Sequence, residues 1–269
     1  MALLQLQNPG FEDPIALTPA ATANQPTVDL SQSALDGSFT FLFPVDFTPY
    51  INDSIPGWEI FDPEGLLDGE TNRLPDADGY ESISSVGIIN PTTPSFDLVH
   101  AGDDGAVPEG QNSLYTYTIE QPGSTAAGFG VRQVLQDVLE ANTLYELNVS
   151  VGDPNADPTY PLAGFPGYRI ELRAGGNLLS VDNNSQVIQE GTFKNITLSY
   201  LAESDDAHLG EQLEVRLIGP AVTPGIEVHF DDVSLSATSV PEPAPTLGLV
   251  ALLGGLALIR WMRKAVASH

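Results

Sequence analysis

Thr143-Leu144-Tyr145-Glu146-Leu147-Asn148-Val149-Ser150-Val151 decides the fold. In an extended chain successive side chains point to opposite faces. Tyr145, Leu147, Val149 and Val151 therefore share one face, with Glu146, Asn148 and Ser150 on the other. Tyr168, Ile170 and Leu172 alternate in the same way with Arg169, Glu171 and Arg173, and Leu213, Val215 and Leu217 with Glu214 and Arg216. One buried and one wet face per strand is the pattern of an antiparallel sheet packed on a second sheet. Working outward, the period predicts strands over 113–119, 131–135, 143–151, 168–173, 178–181, 193–200, 213–218 and 226–235. Gly175-Gly176-Asn177, Asp182-Asn183-Asn184 and Leu209-Gly210 supply turns between them. Helical periodicity is nearly absent before residue 245, and no repeat of roughly 20 to 50 residues is present. The expectation is an all-β, antiparallel two-sheet sandwich.

Residues 13–55 and 62–112 are rich in Pro, Asp, Gly, Ser and Thr, which predicts long loop insertions over one end of the sandwich. Met1 to Leu6 reads as the start of a first strand. The domain plan is a sandwich over 1–237, a Pro-rich linker over 238–245 and a C-terminal segment over 246–264.

Charge narrows the partners. The 269 residues carry a net charge of −27. Such a surface repels phosphate backbones, which excludes nucleic acid, and its carboxylates can collect divalent cations. With no cysteine, disulfides and thiolate chemistry are absent, so stability rests on packing and a metal. Carboxylates are too abundant for a glycosidase pair to stand out, and no G-x-S-x-G, P-loop or dinucleotide motif is present. Asp76-Ala77-Asp78-Gly79 lacks the rest of a calcium-loop pattern and reads as a turn. His100, His208 and His229 show no metal-ligand spacing and read as surface or strand residues.

Pro241, Glu242 and Pro243 precede an apolar run from Thr246 to Ile259, closed by Arg260, Arg263 and Lys264. This order resembles the PEP-CTERM sorting signal of Gram-negative bacteria, the alternative being a plain membrane anchor. The resemblance implies export to the cell envelope, a transient inner-membrane helix, and processing by an exosortase-type enzyme before release to the surface or extracellular space. No N-terminal signal peptide is visible in Met1 to Glu12, and the sorting reading implies a start internal to a longer frame.

Asn8-Pro9-Gly10-Phe11-Glu12, Ile55-Pro56-Gly57-Trp58-Glu59 and Phe230-Asp231-Asp232-Val233-Ser234-Leu235 together resemble galactose-binding-like jelly rolls, the fold of many carbohydrate-binding modules. In that fold the first and last strands meet, and a structural Ca2+ often sits at the junction. The resemblance implies Glu12 with Asp231 or Asp232 as its carboxylates, the alternative being an Asp that only accepts hydrogen bonds. A regular last strand would put Asp231 on the side of Val233 and Leu235. Tyr115, Tyr117 and Phe165 are the ligand-face candidates, with a polysaccharide as the ligand, while Trp58 reads more readily as a core plug than as a sugar platform.

A second resemblance is enzymatic. Pro56-Gly57-Trp58-Glu59-Ile60-Phe61-Asp62-Pro63 and Gly164-Phe165-Pro166-Gly167-Tyr168-Arg169-Ile170-Glu171-Leu172 resemble the Stig cyclases of cyanobacteria. Those are calcium-dependent secreted homodimers on the same sandwich, acting on an indole-isonitrile precursor. That resemblance implies Asp231 or Asp232 as general acid, in a pocket walled by Tyr117 and Phe165. The leading expectation is an exported, calcium-stabilised surface sandwich of carbohydrate-binding type with no assigned catalytic residue; the alternative is a cyclase.

Overall fold

Alternating sequence becomes alternating burial. The computed structural model describes residues 1–13, 55–66, 84–89, 107–110, 112–118, 128–155, 164–220 and 226–241. Eleven strands run through these residues: β1 (Ala2–Leu3), β2 (Glu59–Phe61), β3 (Ser84–Ile89), β4 (Ser113–Thr118), β5 (Phe129–Val138), β6 (Thr143–Asp153), β7 (Arg169–Ala174), β8 (Asn177–Asn183), β9 (Thr192–Ala202), β10 (Gln212–Gly219) and β11 (Ile226–Ser239). One sheet has the order β3-β4-β11-β6-β9 with β1 also on β11; the other has the order β2-β5-β10-β7-β8. The protein is an all-β antiparallel two-sheet sandwich, and its two compact units are Met1–Thr238 and Ser239–His269.

Tyr145, Leu147, Val149 and Val151 of β6 face Ile170, Leu172, Leu213, Val215 and Leu217 of the other sheet within one core. Each fully buried aliphatic side chain contributes about 1.5–3 kcal/mol of transfer free energy, and these rows hold the sheets together. Trp58 is buried in that core, its ring centroid 5.5 Å from that of Phe11, and its Nε1 donates to Asn8 O at 3.1 Å. It is a core plug.

A buried glutamine fastens the N-terminal segment. Gln133 of β5 accepts from Gln7 N at 2.8 Å and donates to Gln7 O at 2.9 Å and Gly57 O at 2.8 Å. Its amide oxygen and nitrogen thereby hold two chain segments together. Asn8 completes the turn by donating to Pro56 O and accepting from Asp13 N.

Three expectations need correction. The 62–112 stretch is not loop throughout, because Ser84–Ile89 forms the edge strand β3; its apolar run is too brief for period alone to separate it from loop. The first strand is confined to Ala2–Leu3, since Leu6 N turns back onto Leu4 O. The last strand is not regular. Val228 and Phe230 face the core, and so do Val233 and Leu235, a change of parity absorbed at Asp232, whose φ is +47°. One extra residue there is a β-bulge.

The segment 246–264 expected to form a sorting helix lies outside the described residues, as do Glu242, Pro243, Arg263 and Lys264. Pro241 is described and follows β11. Among the described residues no helix is long and apolar enough to cross a membrane.

Candidate functional site

β11 carries two partners along one edge. β4 pairs with Ile226 to Phe230, and β1 with Ser236 and Ala237. The bulged Asp231 and Asp232 fall in the gap between them, where Val233 N donates to Pro9 O at 3.1 Å. Two loops meet there. The Asn8–Glu12 loop brings Glu12, helped by a left-handed Phe11, and the loop before β4 brings Glu109 and Asn112.

The loops interlock through glycine. A Cβ on Gly110 would lie 2.3 Å from the Glu12 carboxyl, and one on Gly10 would lie 2.1 Å from Glu109 Oε2. Each carboxylate thus lies against the bare backbone of the opposite loop. Asn112 N donates to Glu12 Oε1 at 2.8 Å and Asn112 Nδ2 to Glu12 Oε2 at 3.3 Å. Glu109 N donates to Asp231 Oδ2 at 2.9 Å. Asp231 Oδ1 and Asn112 Oδ1 are buried without a hydrogen-bond partner.

The electrostatics follow. Burial pushes the Asp231 carboxyl up to about 8; hydrogen bonds from the Glu109 and Asp232 backbones oppose the shift, and the Glu109 and Asp232 carboxylates add to it. Glu109 is also raised, by burial first and then by Asp232 and Glu12. Orphaned buried oxygens and crowded carboxylates are a chemistry that a hard divalent cation relieves. Among the described residues, no three His, Asp or Glu side chains already stand in metal-binding geometry.

A second constellation lies on the opposite face of the same sheet from the core. Glu227 and His229 of β11 alternate with core-facing Val228 and Phe230, so they point away from the core with Tyr115 and Tyr117 of β4, their register partners. This face is nevertheless buried: His229 is 1% exposed, and Ser113, Tyr117, Ser150 and Glu227 are buried with it. Ser113 Oγ and His229 Nδ1 share a hydrogen bond of 2.8 Å, and His229 Nε2 makes a short one with Glu227 Oε1. Aromatic rings flank the imidazole on both sides, Tyr115 at 6.4 Å and Phe193 of β9 edge-on at 6.4 Å between centroids. The arrangement is a buried Ser–His–Glu hydrogen-bond chain between aromatic rings.

The sequence-predicted residues divide between these places. Glu12, Asp231 and Asp232 converge at the junction, although Asp232 is exposed. Tyr115 and Tyr117 stand on the buried polar face. Phe165 does not join them: it packs on Tyr168 at 6.1 Å and against the core, ahead of β7 in the other sheet. Glu109, Asn112, Ser113, Phe193, Glu227 and His229 were not anticipated. The polar alternates of the last strand were the available signal for Glu227 and His229, but polar alternation reads equally as a wet face.

A profile of the HpiC1-like family, described as HpiC1 cyclase, matches residues 2–236. Among solved structures the chain resembles a Stig cyclase, Fisc, from Fischerella sp. TAU, in complex with (3Z)-3-(1-methyl-2-pyrrolidinylidene)-3H-indole. That match has 31% identity over 89% of this chain and 99% of that one, with a TM-score of 0.59. A cyclase from the same organism in complex with 4-(1H-indol-3-yl)butan-2-one matches at 30% identity over 90% of this chain and 100% of that one, with a TM-score of 0.59. No curated protein sequence matches.

These matches overturn the leading functional expectation. The carbohydrate-binding surface protein gives way to the enzymatic alternative, and the sorting-signal, exosortase and membrane readings gain no support. The misreading has a physical source, since a fold does not carry its function. With a family profile over nearly the whole sandwich and about a third of positions identical to a solved Stig cyclase, the chain belongs to the HpiC1-like cyclase family.

Proposed function

We propose that the protein is a calcium-dependent cyclase of the Stig type, built on a jelly-roll form of this sandwich and acting on an indole-bearing isonitrile substrate. The observation that carries the reading is the buried hydrogen-bonded pair Glu227–His229 between two aromatic rings, in a chain similar to cyclases solved with indole ligands. Tyr115 and Phe193 would hold the planar indole by stacking and edge contacts, and their faces favour positive charge that develops during cyclisation. Glu227 acts as general acid, with His229 fixing its carboxyl and Ser113 fixing the imidazole in turn. The proton given to the substrate triggers rearrangement and ring closure, and the cyclised cation returns a proton to the carboxylate, so the reaction is an isomerisation with no net redox change. Burial keeps water from capturing the cation.

Calcium suits the junction. Glu12, Asp231 and Asp232 would supply carboxylate oxygens, with Glu109 and Asn112 Oδ1 beside them. The ion would neutralise a crowded acidic cluster and clamp the first loop to the last strand. It would hold the frame of the site, and the acid role implied by resemblance for Asp231 or Asp232 passes to Glu227, because a carboxylate spent on a cation would have no proton to give.

Incubation of the purified protein with the indole-isonitrile precursor, with calcium and with chelator, tests the reading. Tetracyclic products that require calcium support it. No conversion with calcium present overturns it.

A further inference from the structure

One row of residues crosses the buried polar face from edge to edge. Gly87 of β3 is the register partner of Tyr115 on β4, and Tyr115 that of His229 on β11. Gly152 of β6 is the register partner of Phe193 on β9, and β6 lies between β11 and β9. Adjacent strands are about 4.8 Å apart, so two spacings separate β11 from β9 by nearly 10 Å. Phe193 and His229 nevertheless bring their ring centroids to 6.4 Å. The phenyl ring achieves this by lying across β6. A Cβ on Gly152 would stand 2.5 Å from Phe193 Cε1 and 2.7 Å from Cζ. Neither Gly152 nor Gly87 has a positive φ, so backbone conformation does not require glycine at either place. Space for a ring does.

We propose that Gly152 is a specificity-determining position of the cyclase site: by lacking a side chain it lets Phe193 reach from β9 to His229 and form the wall against which an indole substrate is oriented. The proposal rests on the cyclase reading for its substrate, and on the row Gly152–Phe193–His229 for its mechanism. The opposite wall is built alike, with Tyr115 over Gly87, where a Cβ would meet Tyr115 Cε1 at 2.9 Å. The three atoms nearest an alanine Cβ at 152 all belong to the movable ring of Phe193, so the strand persists while the ring swings off its seat. The packing beside His229 changes shape, and with it the face on which the ring closes.

A double-mutant cycle decides, using Gly152→Ala, Phe193→Ala and the double variant. The readouts are affinity for 4-(1H-indol-3-yl)butan-2-one, product ratio from the indole-isonitrile precursor, and the His229 imidazole C–H resonances. Gly152→Ala is expected to shift affinity or product ratio about ten-fold, the scale of a misfitted methyl-sized group in a pocket, and to move the His229 resonances. Phe193→Ala is expected to do the same, and the double variant to match Phe193→Ala, because the alanine has then no ring to displace. A Gly152→Ala protein indistinguishable from wild type in all three readouts overturns the proposal, as does a double variant in which the two effects add. A wild-type protein that neither binds nor converts either indole compound overturns the cyclase reading instead; the His229 resonances still report whether Gly152 seats the ring.

Discussion

Phe230 and Val233 both face the core although three positions separate them, because Asp232 adopts a left-handed φ of +47° and inserts one residue into the strand. The bulge splits β11 into two parts. Before it, Glu227 and His229 point away from the core toward the aromatic row; after it, the parity reverses and the strand closes the sandwich against β1. The same irregularity frees Asp231 to meet Glu109. The carboxylate junction and the candidate acid thus lie on one strand, four residues apart between Glu227 and Asp231.

Calcium and its removal should act oppositely on wild type and Asp231→Asn. Without calcium the variant is expected to melt higher, since a neutral amide carries no buried charge. With calcium at a hundred times its Kd, wild type should gain about 2.7 kcal/mol by mass action, and the variant little. Thermal melts in chelator and in calcium check this. Parallel responses of both proteins would sink the assignment of Asp231 as ligand.

Glu227→Gln keeps a hydrogen-bonding group beside His229 but removes the acid proton. Cyclisation should fall about a hundred-fold in kcat, the usual worth of a general acid, with KM nearly unchanged. Steady-state kinetics measure the split. A full-speed Glu227→Gln enzyme would return the acid role to another group.

Asp153 ends β6 with both carboxylate oxygens buried and unpartnered. Burial, and then the Glu190 carboxylate, push it up to about 7 from an ordinary 3.8. Between those values the folded state binds more protons than the unfolded, so this group costs stability as pH rises from about 4 to about 7, and the full cost stands above that. Asp153→Asn should therefore be more stable than wild type at pH 8, on the order of 2 kcal/mol, and equal to it near pH 4. Denaturant melts across that range measure the difference, which cancels the general repulsion of an acidic chain.

Glu171 of β7 lies buried among three arginines. Arg169 approaches at 2.5 Å, Arg173 at 2.7 Å and Arg216 at 3.8 Å. Arg216 also sits 4.5 Å over the Phe61 ring. Glu171→Ala leaves these cations facing one another and should destabilise by about 2 kcal/mol, less than for a fully buried pair because the arginines reach solvent. Chemical denaturation checks the value, and added salt should narrow the gap.

The sandwich was legible because its core rows obey a period of two. Tyr145 to Val151, Tyr168 to Leu172 and Leu213 to Leu217 fall where alternation puts them. The bulge at Asp232 was not legible, since nothing in Phe-Asp-Asp-Val marks which Asp takes the extra place. Half of the junction was readable: Glu12 and the two Asp residues flank strand signals, whereas Glu109 and Asn112 lie in Pro- and Gly-rich sequence with no period. The candidate active face was hidden for a different reason. Glu227, His229 and Ser150 have the polarity of a solvent side, and alternation tells which residues share a face without telling whether that face is covered. Tyr115 and Tyr117 were found by their aromatic character, and Phe193 was missed because its role depends on the glycine one strand away.

The pairing of Ala2 with Ala237 has a mechanical consequence. In an antiparallel pair, tension applied across these two residues does not shear the ladder; it peels the strands apart one hydrogen bond at a time, as a zipper opens. β1 offers two residues of such resistance. Beyond it the load passes to Leu4–Leu235, to the clasp of Gln133 on Gln7 and to Val233–Pro9, so hydrogen bonds carry the pull before it reaches the carboxylates at the junction. A cation there would act as a rivet at the seam of the sandwich.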